Sequence, residues 1–365
     1  MRVTEIRHLF FAADRLLLLG PPGIGKTEVI RQLAKEEAER LGRIFIDVGS
    51  MTKEQFDEIC ASPERYYVYL RVVAPTVFPD ELGYPQLEGR AADLVPFRKL
   101  YVMTLHGIRG TLFVDEITNV QTEPQIAMFF SLIQEKEFSW GLKLADGIKV
   151  ILAGNTPEWS EVVRALPKPL RARMTIINVT PPTVDEWADY MDRRYNGEWE
   201  KLTYAYLKVS PEDFIRQPTD DWENFPCPRN WSEVAVLLHE LRSAPEHIKE
   251  EVVQGRLGRE VGAKFAAFMR ERLTEEELER FAAQPEEFFA QRLSKRILVA
   301  YVLASAPLEA LLSKYDKLLT AIARRDRELF VVFLRLMSRE KRLRYAPARV
   351  DLIADVVNYI KDALV

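Results

Sequence analysis

Residues 15 to 30, RLLLLGPPGIGKTEVI, decide how this chain of 365 residues is read. Leu16 to Leu19 form a short apolar run that stops at Gly20-Pro21-Pro22-Gly23-Ile24-Gly25 and gives way to a helical pattern from Lys26. Strand, loop, helix is the order, and the spacing of Gly20 to Gly25-Lys26-Thr27 matches a phosphate-binding P-loop in full. Glycines let backbone N–H groups face a phosphate at the start of a helix, and the lysine adds a mobile point charge. Thr27 would offer its hydroxyl to Mg²⁺. The bland alternative is a glycine-rich turn with no ligand, but the strand and the helix fall where the motif needs them.

Working outward, the chain is long enough to divide into two domains. Apolar residues make up 47% and charged residues 29%, the profile of a soluble globular chain rather than a disordered one. A net charge of −4 argues against a protein whose main task is coating nucleic acid. Cys60 and Cys227 are the only cysteines and have no paired spacing, which excludes a disulfide framework or zinc knuckle. His8, His106, His239 and His247 are too dispersed to suggest a metal site. Asp14 and Arg15 interrupt the apolar N-terminus, so a signal peptide is not expected, and no apolar run is long enough to span a bilayer. The expectation is a cytoplasmic protein without membrane insertion.

Taken in order, residues 1 to 14 carry a short amphipathic segment expected beside the nucleotide. A helix is expected from Thr27 to Leu41, stopped by Gly42; strands over Arg43–Val48 and Tyr66–Val73 flank a short helix at Thr52–Cys60. Such alternation signals a parallel sheet. Prolines and glycines between Pro75 and Phe97 predict a loop or hairpin insertion, of a length that is usually functional. Arg98 to His106 reads as helical. Thr111 to Ile117, TLFVDEI, is an apolar strand ending in two acids, about ninety residues after the P-loop. Asp115 suits a Walker B group that holds Mg²⁺ through water, and Glu116 suits a base that accepts a proton from the attacking water. A pair of strand-end acids facing solvent is the plain alternative.

A helix over Pro124–Lys136 precedes a hairpin in Glu137–Gly147 that turns at or near Asp146-Gly147. Ile148 to Ala153 is a buried strand delivering Gly154-Asn155-Thr156; Asn155 would orient water beside a γ-phosphate, although a lone asparagine is commonly a cap. Leu166 to Met174, LPKPLRARM, sets Arg171 and Arg173 before a strand over Thr175–Val179. Pro181-Pro182 closes the α/β region, and from Thr183 the pattern is helical, with Cys227-Pro228-Arg229-Asn230-Trp231 starting one helix. A basic cluster from Arg324 to Arg344 reads as a solvated helix face, with an acidic partner or nucleic acid as the alternative.

Together GPPGIGKT, LFVDEI, the AGN strand end, LPKPLRARM, CPRNW and GRLGREVGAKFAAFMR resemble the AAA+ ATPases, and within them the MoxR-like branch. The resemblance covers about residues 1 to 270 and implies an α/β doubly wound P-loop NTPase core, residues 1–181, followed by an all-helical lid with a C-terminal helical region, residues 182–365. ATP and Mg²⁺ are implied as cofactors: Gly20, Pro21, Pro22, Gly23, Ile24, Gly25, Lys26 and Thr27 would bind the nucleotide, and Thr27 and Asp115 the metal. By position Glu116 matches the base, Asn155 sensor 1, Arg173 the arginine finger and Arg229 sensor 2, with Arg171 as the competing finger. The insertion around Leu82-Gly83-Tyr84 and the hairpin at Trp140 resemble pore-facing hairpins. The resemblance further implies a homo-oligomeric ring, a hexamer, acting on a protein client, such as one with a von Willebrand A domain. A DNA-acting AAA+ motor is the alternative, and a P-loop switch without turnover is a third reading, against which Glu116 speaks.

Overall fold

In the computed structural model the described residues are 1–78, 82–88, 91–138, 142–159, 163, 166–217, 222–354 and 357. The chain divides into two compact units, Met1–Pro182 and Thr183–Val365.

Among the described residues the first unit is built on ten strands, β1 (Arg15–Leu19), β2 (Ile44–Asp47), β3 (Tyr66–Val73), β4 (Gly83–Glu88), β5 (Ala91–Pro96), β6 (Arg109–Asp115), β7 (Glu137–Phe138), β8 (Leu142–Lys143), β9 (Ile148–Gly154) and β10 (Thr175–Asn178). Six of them form one parallel sheet in the order β10-β1-β9-β6-β3-β2, while β4 pairs with β5 and β7 with β8 as antiparallel hairpins. The leucine run becomes an inner strand, and Leu16, Leu17 and Leu18 are fully buried. Burying each contributes about 1.5–3 kcal/mol.

Side-chain alternation assigns the two faces of the sheet. Val68 and Leu70 of β3, Leu112 and Val114 of β6, and Val150 and Leu152 of β9 share a core with Ile59 of the helix Lys53–Ala61 and with Phe129, Leu132 and Ile133 of the helix Glu123–Glu135. On the other face Tyr67 reaches the helix Lys26–Arg40, its hydroxyl donating to Glu37 at 3.0 Å while lying 2.7 Å from Thr111. A parallel sheet with helices on both faces and the phosphate loop at the carboxyl end of β1, followed by a helical region, fits the AAA+ P-loop NTPase fold. The strand carrying Asn155 lies between the P-loop strand and the strand carrying Asp115.

Several boundaries differ from expectation, each for a local reason. The strand predicted to run to Ile117 ends at Asp115, because Glu116 adopts a left-handed conformation, φ 57°. The Arg98–His106 helix shortens to Arg98–Tyr101 and a 3₁₀ turn, after which Leu105 is extended and Gly107 turns left-handed. In the 137–147 hairpin Glu137 pairs with Lys143 and Phe138 with Leu142, so Asp146-Gly147 lies beyond the paired strands and is not the turn. Gly147 instead gives its carbonyl to the Gly110 N–H on the way into β9. Trp140 lies outside the described residues. The N-terminal segment lies along β10: the terminal ammonium donates to the Asn178 carbonyl and the Val3 N–H to that of Thr180.

Among the described residues the second unit contains helices and no strand. Its core gathers Trp187, Trp199, Tyr204, Trp231, Phe265, Phe281, Phe288 and Phe330. Capping boxes at Thr183/Glu186 and Thr274/Glu277 start two of its helices, each satisfying backbone donors that the first turn leaves open. Among the described residues no helix is long and apolar enough to cross a membrane.

Candidate functional site

The candidate site is assembled where three strand ends meet. β1 delivers the loop Gly20–Gly25, β6 delivers Asp115 and Glu116, and β9 delivers Asn155. Gly25, the residue before the helix, has φ 95°, a backbone conformation that a Cβ strongly disfavours. The left-handed turn directs the chain into a helix of 15 residues, Lys26–Arg40, whose N-terminus carries partial positive charge.

Lys26 is buried, and its ammonium donates to the carbonyls of Gly20 at 2.8 Å and Pro21 at 2.7 Å, with Asn155 Oδ1 at 3.4 Å. A cation is therefore held against the loop and tied to the end of β9. Thr27 Oγ1 donates to Asp115 Oδ2 at 2.9 Å. A hydroxyl and a carboxylate in contact are hard oxygen donors of the kind Mg²⁺ takes. Glycine-shaped loop, helix N-terminus, buried lysine and this oxygen pair together fit a magnesium–nucleoside triphosphate.

Adjacent acids occupy different environments. Asp115 is 7% exposed and points inward to Thr27, whereas Glu116 is exposed. The cause is the backbone at Glu116: with φ 57° and ψ 33° the chain reverses immediately after the strand, and the Glu116 N–H donates to Asp115 Oδ1 at 3.0 Å. A non-glycine residue in this region is uncommon and stores strain of the kind that collects at functional sites. One carboxylate is thus fixed beside the hydroxyl and the other is free to meet a water.

Asn155 is anchored through its backbone, its N–H donating to Thr118 Oγ1 at 2.9 Å. Arg171 and Arg173 are both exposed at the end of the short helix Lys168–Arg171. Arg173 donates to the Pro169 carbonyl at 2.8 Å, and its guanidinium carbon lies 5.6 Å from the Phe130 ring centroid. Arg229, in the second unit, is exposed in the first turn of the helix Pro228–Glu240. Gly20 to Thr27, Asp115, Glu116 and Asn155 are therefore gathered within the first unit. Tyr84, on β4, is 52% exposed, with its ring 6.3 Å from that of Phe97.

Two residues escaped the sequence reading. Arg71 donates through Nε at 3.1 Å and Nη2 at 2.8 Å to Asp115 Oδ2. Thr118 holds Asn155. The sequence did carry a signal for Arg71: YYVYLRVV is otherwise uncharged, and its alternation sets Arg71 on the same face as Tyr67 and Tyr69.

The sheet order together with the phosphate loop and the acid-ended strand β6 defines the class, a P-loop NTPase fold of the AAA+ kind. No family model matches the chain, and no curated protein matches it. Solved structures similar to it include NtrX from Brucella abortus, at TM-score 0.36 and 15% identity over 87% of this chain and 68% of that one. A variant of Thermotoga maritima RuvB gives TM-score 0.31 and 16% identity over 88% of this chain and 84% of that one. The ORC2 protein of Aeropyrum pernix gives 0.39 and 14% over 99% and 93%. At these values the likenesses add nothing to what the sheet order and the phosphate loop establish.

Proposed function

We propose that the chain is a Mg²⁺-dependent ATPase of the MoxR-like kind, working as a homo-oligomeric ring, a hexamer, whose ATP cycle remodels a protein client. The observation that carries the reading is the Thr27–Asp115 contact beside buried Lys26, with exposed Glu116 following directly. Loop N–H groups from Gly20 to Gly25 bind phosphate oxygens, and Lys26 compensates the charge of the β and γ phosphates. Thr27 would hold Mg²⁺ by its hydroxyl and Asp115 through water; the metal, when bound, neutralises charge on the β and γ oxygens. Glu116 accepts a proton as water attacks the γ-phosphorus and ADP leaves. Asn155 orients that water, Arg229 matches sensor 2 by resemblance, and Arg173 acts as a finger toward the neighbouring subunit's site, with Arg171 as the competing candidate.

A protein client suits the surface better than DNA. Members of the basic cluster are spent within the second unit: Arg325 pairs with Glu286, Arg335 with Asp189 and Arg342 with Asp192, while Lys341 donates to the carbonyls of Ala304 and Ala306. By resemblance to the MoxR-like branch the client is a protein with a von Willebrand A domain, engaged by exposed aromatics such as Tyr84. Turnover of ATP by the purified chain, with Mg²⁺ and with excess chelator, tests the core of the reading. Hydrolysis should require the metal and be lost in Lys26→Ala; wild type without Mg²⁺-dependent turnover, or Lys26→Ala with normal turnover, contradicts it.

A further inference from the structure

Oδ2 of the Asp115 carboxylate is saturated. Oδ2 accepts three hydrogen bonds from side chains, one from the Thr27 hydroxyl at 2.9 Å and two from the Arg71 guanidinium at 3.1 and 2.8 Å. Oδ1 accepts from the Glu116 N–H at 3.0 Å. With three donors on Oδ2, that oxygen, the one facing Thr27, has no lone-pair direction left for a metal-bound water. Arg71 brings a full positive charge to the oxygen that also faces Thr27. A guanidinium and a divalent cation cannot both occupy that position, because the two charges repel at close range and only one carboxylate is there to offset them.

From this geometry we propose that Arg71 is a displaceable counter-charge for Asp115: it pairs with the carboxylate when no metal is bound and is released when Mg²⁺ enters with the nucleotide. The inference rests on the proposed Mg²⁺ site and assigns a positioning role to a residue outside it. Two further features suit release. The Arg71 side chain is 45% exposed while that of Asp115 is 10% exposed, so the arginine can leave for solvent and the aspartate stays. Tyr69, two residues earlier on the same face of β3, has a buried hydroxyl with no hydrogen-bond partner, an acceptor on the face that Arg71 shares. Pairing in the metal-free state also keeps the Asp115 charge compensated while the site waits, which an unpaired buried carboxylate would not be.

The test is the Mg²⁺ concentration that half-maximally tightens binding of a fluorescent ADP to the full chain, a readout that needs no turnover. In Arg71→Ala the metal displaces nothing, so this concentration should fall roughly tenfold, the scale of a charge-assisted two-nitrogen contact. Arg71→Lys keeps the charge without the fork and should fall between Arg71→Ala and wild type. Arg71→Gln, which retains volume and a donor but no charge, serves if the alanine variant is unstable, and should shift in the same direction. An unchanged or increased Mg²⁺ requirement in a folded Arg71→Ala or Arg71→Gln overturns the inference, as does a loss of ADP affinity that is equal with and without Mg²⁺, which would make Arg71 a phosphate ligand. If wild type binds ADP with no Mg²⁺ dependence at all, the proposed metal site fails and this inference falls with it.

Discussion

The residues that matter most are separated by a single peptide bond. Asp115 and Glu116 are chemically alike, yet the left-handed turn at Glu116 buries one carboxylate and exposes the other. Environment rather than residue type would divide the work proposed for them. Asp115→Asn should therefore act on the metal: the Mg²⁺ needed for half-maximal nucleotide binding should rise, while binding in chelator stays near wild type. An Asp115→Asn chain with an unaltered Mg²⁺ titration would remove Asp115 from the metal site. At this scale the sequence was legible wherever spacing is stereochemically fixed. Gly20 to Thr27 must follow one another in that order to wrap a phosphate, so the motif could be read without a fold. Arg71 could not be assigned in that way. Its partner lies 44 positions on, in a neighbouring strand, and only the β3–β6 register, with Val73 opposite Asp115, brings them together. Nothing in the letters around Glu116 required a positive φ either.

Elements were legible where burial is complete and periodicity simple. β3 runs from Tyr66 to Val73 as read, and the helix after the P-loop differs by one residue at each end. Short elements were less so, because a helix of four residues or a strand of two is set by what it packs against rather than by its own sequence. The insertion after β3 is a hairpin, β4 and β5, with Tyr84 opposite Val95. Tyr84 stands half exposed against Phe97 rather than packed in the core, which suits the proposed contact with a client. Tyr84→Ala should leave the thermal midpoint and basal ATPase near wild type and abolish stimulation by the client. A large drop in the midpoint would instead make the ring a structural prop for the hairpin.

At the scale of the whole molecule the chain forms two compact units, and the proposed ring would bring several copies together. Arg173 is exposed on the first unit, at the end of a short helix and resting on Phe130, and the proposed finger needs such exposure. A planar cation there would stabilise charge on the transferred phosphoryl group, and such fingers are worth roughly a thousand-fold or more in rate. Arg173→Ala and Glu116→Gln should each be nearly inactive alone, yet mixing them should restore part of the activity, since a subunit with its own Glu116 receives Arg173 from its neighbour. Mixed rings that form and regain no ATPase at any ratio would assign the finger elsewhere, Arg171 first.

Glu116→Gln decides whether an ATPase site is assembled from the P-loop and the end of β6 with Glu116 as its base. Binding of MgATP and single-turnover hydrolysis should be measured on the same preparation as wild type. Affinity should stay close to wild type and hydrolysis should slow by on the order of a hundred-fold or more. A Glu116→Gln chain that hydrolyses ATP at the wild-type rate would contradict that assignment.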